Sequence, residues 1–185
     1  GSILKIQLTE SGLLQIAPEF VAEIKEKEST IFFDEHFAKR VFRDYFRGIE
    51  TTIIKLAEKD FNKKGEIHSF LKRFMNVQVM EETNNKIVIK VFKIEELSIE
   101  ECLKRMFYLT KNLFDEAENK SSTLEEIDNN ISKFYYLLIM QIRRYLAEGK
   151  FAQENQIPIL TAMDYRIISE KIERIADLLK KINTD

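Results

Sequence analysis

Residues 98–107 read Ser-Ile-Glu-Glu-Cys-Leu-Lys-Arg-Met-Phe, and the fold turns on this stretch. Ser98 with Glu101 three residues on has the form of a capping box. The hydroxyl accepts one orphan backbone N–H, and the carboxylate reaches back to another. Leu103, Met106, Phe107, Leu113, Phe114 and Ala117 then recur at helical spacing. Lys120-Ser121-Ser122 interrupts the pattern, and Thr123 with Glu126 predicts a second capping box. The next helix runs from about Leu124 to Glu148, with Ile127, Ile131, Phe134, Leu138, Ile142 and Tyr145 three or four apart. At 1.5 Å per residue it spans about 37 Å. Gly149 stops it, and Pro158 falls in the first turn of a third helix, where a missing N–H costs little. Ile168, Ile172, Ile175, Leu179 and Ile182 make the third helix's inner stripe. Leu160, Ile167 and Leu178 fall on a second side. Short connections between three long helices force an antiparallel bundle over residues 97–185.

Upstream of Leu97 the period is different. Ile3 to Leu8 alternates, Ser11-Gly12 makes a turn, and Leu13 to Ile16 follows before Pro18, which predicts a β-hairpin. Phe20 to Lys27 is a short amphipathic stretch, and Thr30 to Phe33 is β-prone. Asp34 is placed to cap a helix bearing Phe37, Val41, Tyr45 and Phe46, and Gly48 ends it where a left-handed residue is wanted. Thr51 to Leu56 is β-branched, hence a strand. Gly65 to Met75 predicts a helix with Ile67, Phe70, Leu71 and Phe74 inward. Val77 with Val79, and Ile87 to Val91, form two strands around Thr83-Asn84-Asn85. The fold class is therefore α+β: a small N-terminal α/β module followed by a C-terminal three-helix bundle. The chain divides into a hairpin region at 1–33, the α/β module at 34–96 and the bundle at 97–185.

The charge balance narrows the function. There are 29 basic and 31 acidic residues, a formal net charge of −2. A protein that neutralises many phosphates carries a basic excess, so the chain as given is not expected to bind nucleic acid. No apolar run approaches the ~20 residues of a membrane span, and no signal peptide opens the chain. Cys102 is the only cysteine and falls in a helical apolar pattern, so it reads as a buried small hydrophobe. It cannot form an internal disulfide, which fits a reducing, cytoplasmic compartment. His36 and His68 lie far apart and suit no Cys/His zinc site. Lys63-Lys64-Gly65 resembles a fragment of a phosphate loop but lacks the upstream glycine and the downstream Ser/Thr. The expectation is that the protein is not an enzyme.

One acidic pattern stands out. In Glu173-Arg174-Ile175-Ala176-Asp177 the two carboxylates are four residues apart, so they stack on one helix face. Taken by itself, this is a solvated face opposite the Ile168-Ile172-Ile175 stripe.

A family resemblance gives that pattern more meaning. Ser98 to Met106 resembles the start of the PhoU domain in archaeal phosphate uptake regulators. Tyr135-Tyr136-Leu137-Leu138-Ile139-Met140-Gln141-Ile142-Arg143-Arg144 looks like that family's second helix. Asp164-Tyr165-Arg166 through Asp177 looks like its third, including the E-x-x-x-D metal motif at Glu173 and Asp177. Tyr45 to Thr51 and Val79 to Thr83 are similar to the joining module of the same proteins. Glu10 to Pro18 looks like the last hairpin of the AbrB-type DNA-binding domain that often precedes it.

The resemblance implies a PhoU-like regulator of phosphate uptake or signalling, working by protein–protein contact with a phosphate transporter or sensor protein. It also implies metal ligands at Glu173 and Asp177, with Asp128 as a third. The family's second acidic pair reads Asp128-Asn129-Asn130-Ile131-Ser132 here, and a serine hydroxyl is a neutral, weak ligand. No cofactor is expected beyond at most a weakly bound divalent metal. A bundle with one half of the PhoU plan and a second apolar side is expected to form a homodimer. The alternative is a transcription regulator whose AbrB-like DNA-binding part is truncated in this chain. A carboxylate-bundle hydrolase ranks last, since the three C-terminal helices contain no histidine.

Overall fold

A computed structural model describes residues 4–8, 14–18, 28–94, 96–119, 123–149, 151 and 156–182. β1 (Leu4–Leu8) and β2 (Leu14–Pro18) pair antiparallel, with Ile6 opposite Ile16, in a two-stranded sheet of their own. The expected Ser11-Gly12 turn and the Phe20–Lys27 stretch lie outside the described residues.

β3 (Glu28–Phe32), α1 (Phe37–Arg47) and β4 (Thr51–Lys55) make a β-α-β unit. β3 runs parallel to β4, with Glu28 opposite Thr51 and Phe32 opposite Lys55. This pairing places residues 28–33 with the α/β module, so the division expected at residue 33 falls after a strand of that module's sheet. β5 (Val77–Glu82) and β6 (Lys86–Val91) form the expected hairpin, closed by the Thr83 N–H on the Lys86 carbonyl at 2.9 Å. β6 also pairs antiparallel with β4, giving the order β3-β4-β6-β5. Alternation puts Ile31, Ile54, Ile87, Ile89 and Val77 on the buried face.

Gly48 ends α1 with φ 78°, and the Gly48 and Ile49 N–H groups close on Tyr45 and Asp44 carbonyls, as expected for a left-handed cap. Asp34 sits farther out than a cap. The N-cap is His36, and Asp34 Oδ1 accepts the His36 N–H at 2.7 Å while pairing with Arg40. A 3-10 helix (Glu58–Lys63) leads into α2 (Lys64–Leu71), which is shorter than expected at its C-terminus.

α3 (Ile99–Glu118), α4 (Leu124–Ala147) and α5 (Ile159–Ile182) form the bundle, each packed on the other two. The Ser98 capping box is complete: Ser98 Oγ accepts the Glu101 N–H at 3.1 Å, and Glu101 Oε2 accepts the Ser98 N–H at 2.7 Å. The second box does not form. Thr123 has helical dihedrals (φ −85°, ψ −6°), so its hydroxyl is not held over the first N–H groups and instead donates to Glu116 Oε2.

Core residues of the module and the bundle form one continuous cluster. At the seam, Tyr136 of α4 meets Phe42 and Phe46 of α1 and Phe74, with ring centroids 5.0, 6.3 and 5.9 Å apart. Arg143 Nε donates to the Phe46 carbonyl at 2.8 Å. Gln141 Nε2 donates to the Leu97 carbonyl at 2.6 Å, tying the entry of α3 to α4.

α5 is rotated about its axis relative to the expected stripe. Ile172 is buried and Leu179 packs on the core, but Ile168 and Ile175 are 37% and 41% exposed. Ala162, Ser169 and Ala176, spaced by seven, are fully buried in their place. Small side chains let α5 approach its neighbours closely, and the bulkier isoleucines are displaced to the flank. Leu160, Ile167 and Leu178 are exposed by 75%, 51% and 50%, as their separate side of the helix implied.

Candidate functional site

The rotation of α5 moves the acidic pattern. Glu173 is not on a face remote from the bundle but half-buried along the α4–α5 groove, while Asp177 is exposed. Across the groove on α4 stand Asp128 and Ser132, four residues apart and therefore on one face. Ser132 lies close enough to Glu173 for its hydroxyl to favour the ionised carboxylate. Asp128 is buried and accepts from Lys180 Nζ at 2.9 Å.

Electrostatics in the groove are unfavourable to charge on Glu173. Burial holds its carboxyl above the usual glutamate range, and the nearby Asp177, Asp128 and Glu170 add to the effect, while the Ser132 hydroxyl opposes it. Lys180 is held above its ordinary value, first by its hydrogen bond to Asp128. Arg166 pairs with Glu170 at 3.2 Å.

Asp128, Glu173 and Asp177 are thus close enough to feel one another, yet the donor set does not suit a tight metal site. Among the described residues no group of three or more His, Cys, Asp or Glu could hold a metal. The Lys180 ammonium occupies Asp128's side of the groove and supplies its counter-charge. Oxygen-seeking divalent ions are held tightly where several oxygen ligands converge on one point. Lys180 is the residue that sequence reading missed. It lies seven residues after Glu173, hence on the same face, and that spacing was the available signal.

Because Ser132 does face Glu173, Ser132→Asp puts a second α4 carboxylate into the groove. Titration calorimetry with Mn²⁺ should show affinity raised by about tenfold or more over the unsubstituted protein. Equal affinities would mean that this groove never assembles a cation site.

Glu173 also predicts a pH effect. Its raised pKa disfavours the ionised form in the folded state. Below the usual glutamate range both states are protonated and nothing is lost. As pH rises through the raised folded-state pKa, the burial and repulsion act in full. Glu173→Gln should therefore stabilise the protein at neutral pH, by about 0.2–0.5 kcal/mol from the relieved repulsion of Asp177 alone. The gain should vanish in acid. Urea melts at neutral and acidic pH check this, and a destabilised variant at neutral pH would contradict it.

Another exposed feature is α5's outer face. Leu160, Met163, Ile167, Ile168, Ile175 and Leu178 leave roughly 500 Å² of apolar surface in water, taking about 150–200 Å² for a whole large side chain. That is the scale of the largest patch on a monomer, ~300–600 Å², which is often functional. Asp164, Lys171 and Arg174 lie on the same face, and no ion pair among the described residues includes them.

Cys102 is fully buried, and burial first, with Glu101 adding to it, pushes its thiol up to about 12, the behaviour of a packed side chain rather than a nucleophile. No helix among the described residues is long and apolar enough to cross a membrane. No family model matches the chain, and neither does any curated protein or solved structure.

Proposed function

We propose that the chain is a PhoU-like cytoplasmic regulator of phosphate uptake or signalling that acts by contact, as a homodimer, on a phosphate transporter or sensor protein. The observation that carries this reading is the bare outer face of α5, with large apolar side chains exposed by half or more at Leu160, Ile167 and Leu178. The sequence resemblance supplies the phosphate connection; the α5 face supplies the means, which is docking.

The face is self-complementary. When two α5 helices lie antiparallel about a two-fold axis at the level of Ser169, Leu160 meets the partner's Leu178 and Met163 meets the partner's Ile175. Asp164 then lies opposite the partner's Arg174, and Ile167 opposite the stem of the partner's Lys171. An isologous interface repeats each pairing twice. Sedimentation at micromolar concentration should show a dimer, and a clean monomer would refute this part of the reading. Affinity capture from cells grown at high and low phosphate tests the rest. Retention of a phosphate transporter subunit or sensor that changes with phosphate supports it. The same retained proteins in both regimes would refute it.

The second reading, a transcription regulator, draws on the antiparallel β1–β2 pair, which among the described residues forms a sheet of its own. It predicts specific duplex binding once an N-terminal extension is supplied. The chain as given, net acidic, should give no salt-resistant gel shift.

A further inference from the structure

We infer that the cleft between the α/β module and the C-terminal half of α4 binds an amphiphilic organic anion, an apolar body carrying one carboxylate, phosphate or sulfonate head. The cleft has a volume of about 370 Å³, within the range of small-molecule sites. Its floor is apolar: Ile49 and Met140 are buried, and Val91, Phe92 and Phe46 complete it. Its walls carry Arg47, Lys90, Lys93, Arg143 and Arg144, against Glu50 as the one acid among the lining residues. Glu148 answers Arg144 at 3.1 Å, and Lys90, Lys93 and Arg143 still outnumber Glu50 in a chain whose net charge is −2.

The walls are held in place by backbone bonds rather than by loose side chains. Gly48's left-handed turn brings Ile49 inward. The Val91 N–H closes on the Glu50 carbonyl at 2.8 Å, and the Phe92 N–H on the Asn76 carbonyl at 2.8 Å. Arg143 is fixed by its bond to the Phe46 carbonyl, and Lys90 lies 5.7 Å from the Phe92 ring centroid. Such a preformed cleft spares a ligand the cost of ordering it.

The two halves of the lining select the ligand class between them. A bare inorganic anion gains nothing from the apolar floor. A neutral hydrocarbon leaves the cations without a counter-charge. A molecule with both parts satisfies both, and a charge-assisted bond to its head is stronger than a neutral one. One wall belongs to the module and the other to the bundle, so an occupant braces the two against each other. This binding does not depend on the phosphate reading.

The test titrates the intact chain with the fluorophore 8-anilinonaphthalene-1-sulfonate and its neutral counterpart N-phenyl-1-naphthylamine. Lys90→Glu combined with Lys93→Glu should weaken the sulfonate by about tenfold or more and leave the neutral dye within about twofold. Ala147→Trp, at an exposed position on the cleft's α4 wall, should weaken both dyes by filling the space. On the unsubstituted protein, decanoate or decyl phosphate should displace the sulfonate, and decanol or inorganic phosphate should not. Displacement by decanoate alone, or by decyl phosphate alone, would support the site and name its head group. Sulfonate affinity unchanged in both variants with intact circular dichroism, or displacement by decanol as effective as by decanoate, would overturn the inference.

Discussion

Phe74→Ala should cost about 3–5 kcal/mol and lower the stability of the module and the bundle together. Phe74 is buried against Phe42, Tyr45, Phe70 and Tyr136, with centroids 5.1, 4.7, 5.6 and 5.9 Å away. Removing the ring leaves a cavity that rigid neighbours on three elements, α1, α2 and α4, cannot close. A loss of that size is a large share of the ~5–15 kcal/mol that holds a domain folded. The chain has no tryptophan and six tyrosines, Tyr45 and Tyr136 at the seam and the other four on the bundle helices, so tyrosine fluorescence reports on the seam together with the bundle, and far-UV circular dichroism reports chiefly on the helices. Because the core is one cluster, both signals should fall at one lowered midpoint in urea. Phe114→Ala, at an exposed position on α3, should stay within about 0.5 kcal/mol. Two separated transitions with the helical one unshifted would show that the seam does not couple the halves.

Features settled by neighbours in the chain were legible in the sequence. Ser98 and Glu101 are three apart, Gly48 follows its helix directly, and Thr83-Asn84-Asn85 sits between two alternating runs. Each signal and its effect lie within one turn. The β3–β4 pairing was not legible, because Glu28 and Thr51 are brought together by the whole of α1. The Thr123 box matched the pattern but failed in geometry, since a hydroxyl caps only from an extended residue.

α5 shows a different failure. Counting large apolar residues favours Ile168 and Ile175 as the inner stripe. Packing favours Ala162, Ser169 and Ala176, whose small size lets the helices close, and a serine carries no hydrophobic signal. That rotation decided the candidate site too. It carried Glu173 to the edge of the groove beside Ser132, and it set Lys180 against Asp128, 52 residues away in sequence. The same rotation cleared the outer face of the helix.

On that face, Arg174→Asp should shift the proposed homodimer to monomer, weakening association by about 100-fold or more. In the antiparallel arrangement, the substitution sets an acid opposite the partner's Asp164, and symmetry does so twice. Two lost pairs at ~1.4 kcal/mol each already amount to about 100-fold, and like charges in contact add to it. Both positions are exposed, so the fold itself should be untouched. Adding Asp164→Arg to the same chain exchanges the two charges and restores opposite signs across the axis. The double variant should therefore dimerise within about tenfold of the unsubstituted protein, whereas Asp164→Arg alone should not. Analytical ultracentrifugation over a concentration series reads all four proteins. Rescue distinguishes this register from any other apolar contact of α5, because only a two-fold at the level of Ser169 places residue 164 against residue 174. Equal weakening in the single and double variants would rule that register out, and a dimer indifferent to Arg174→Asp would place the interface elsewhere.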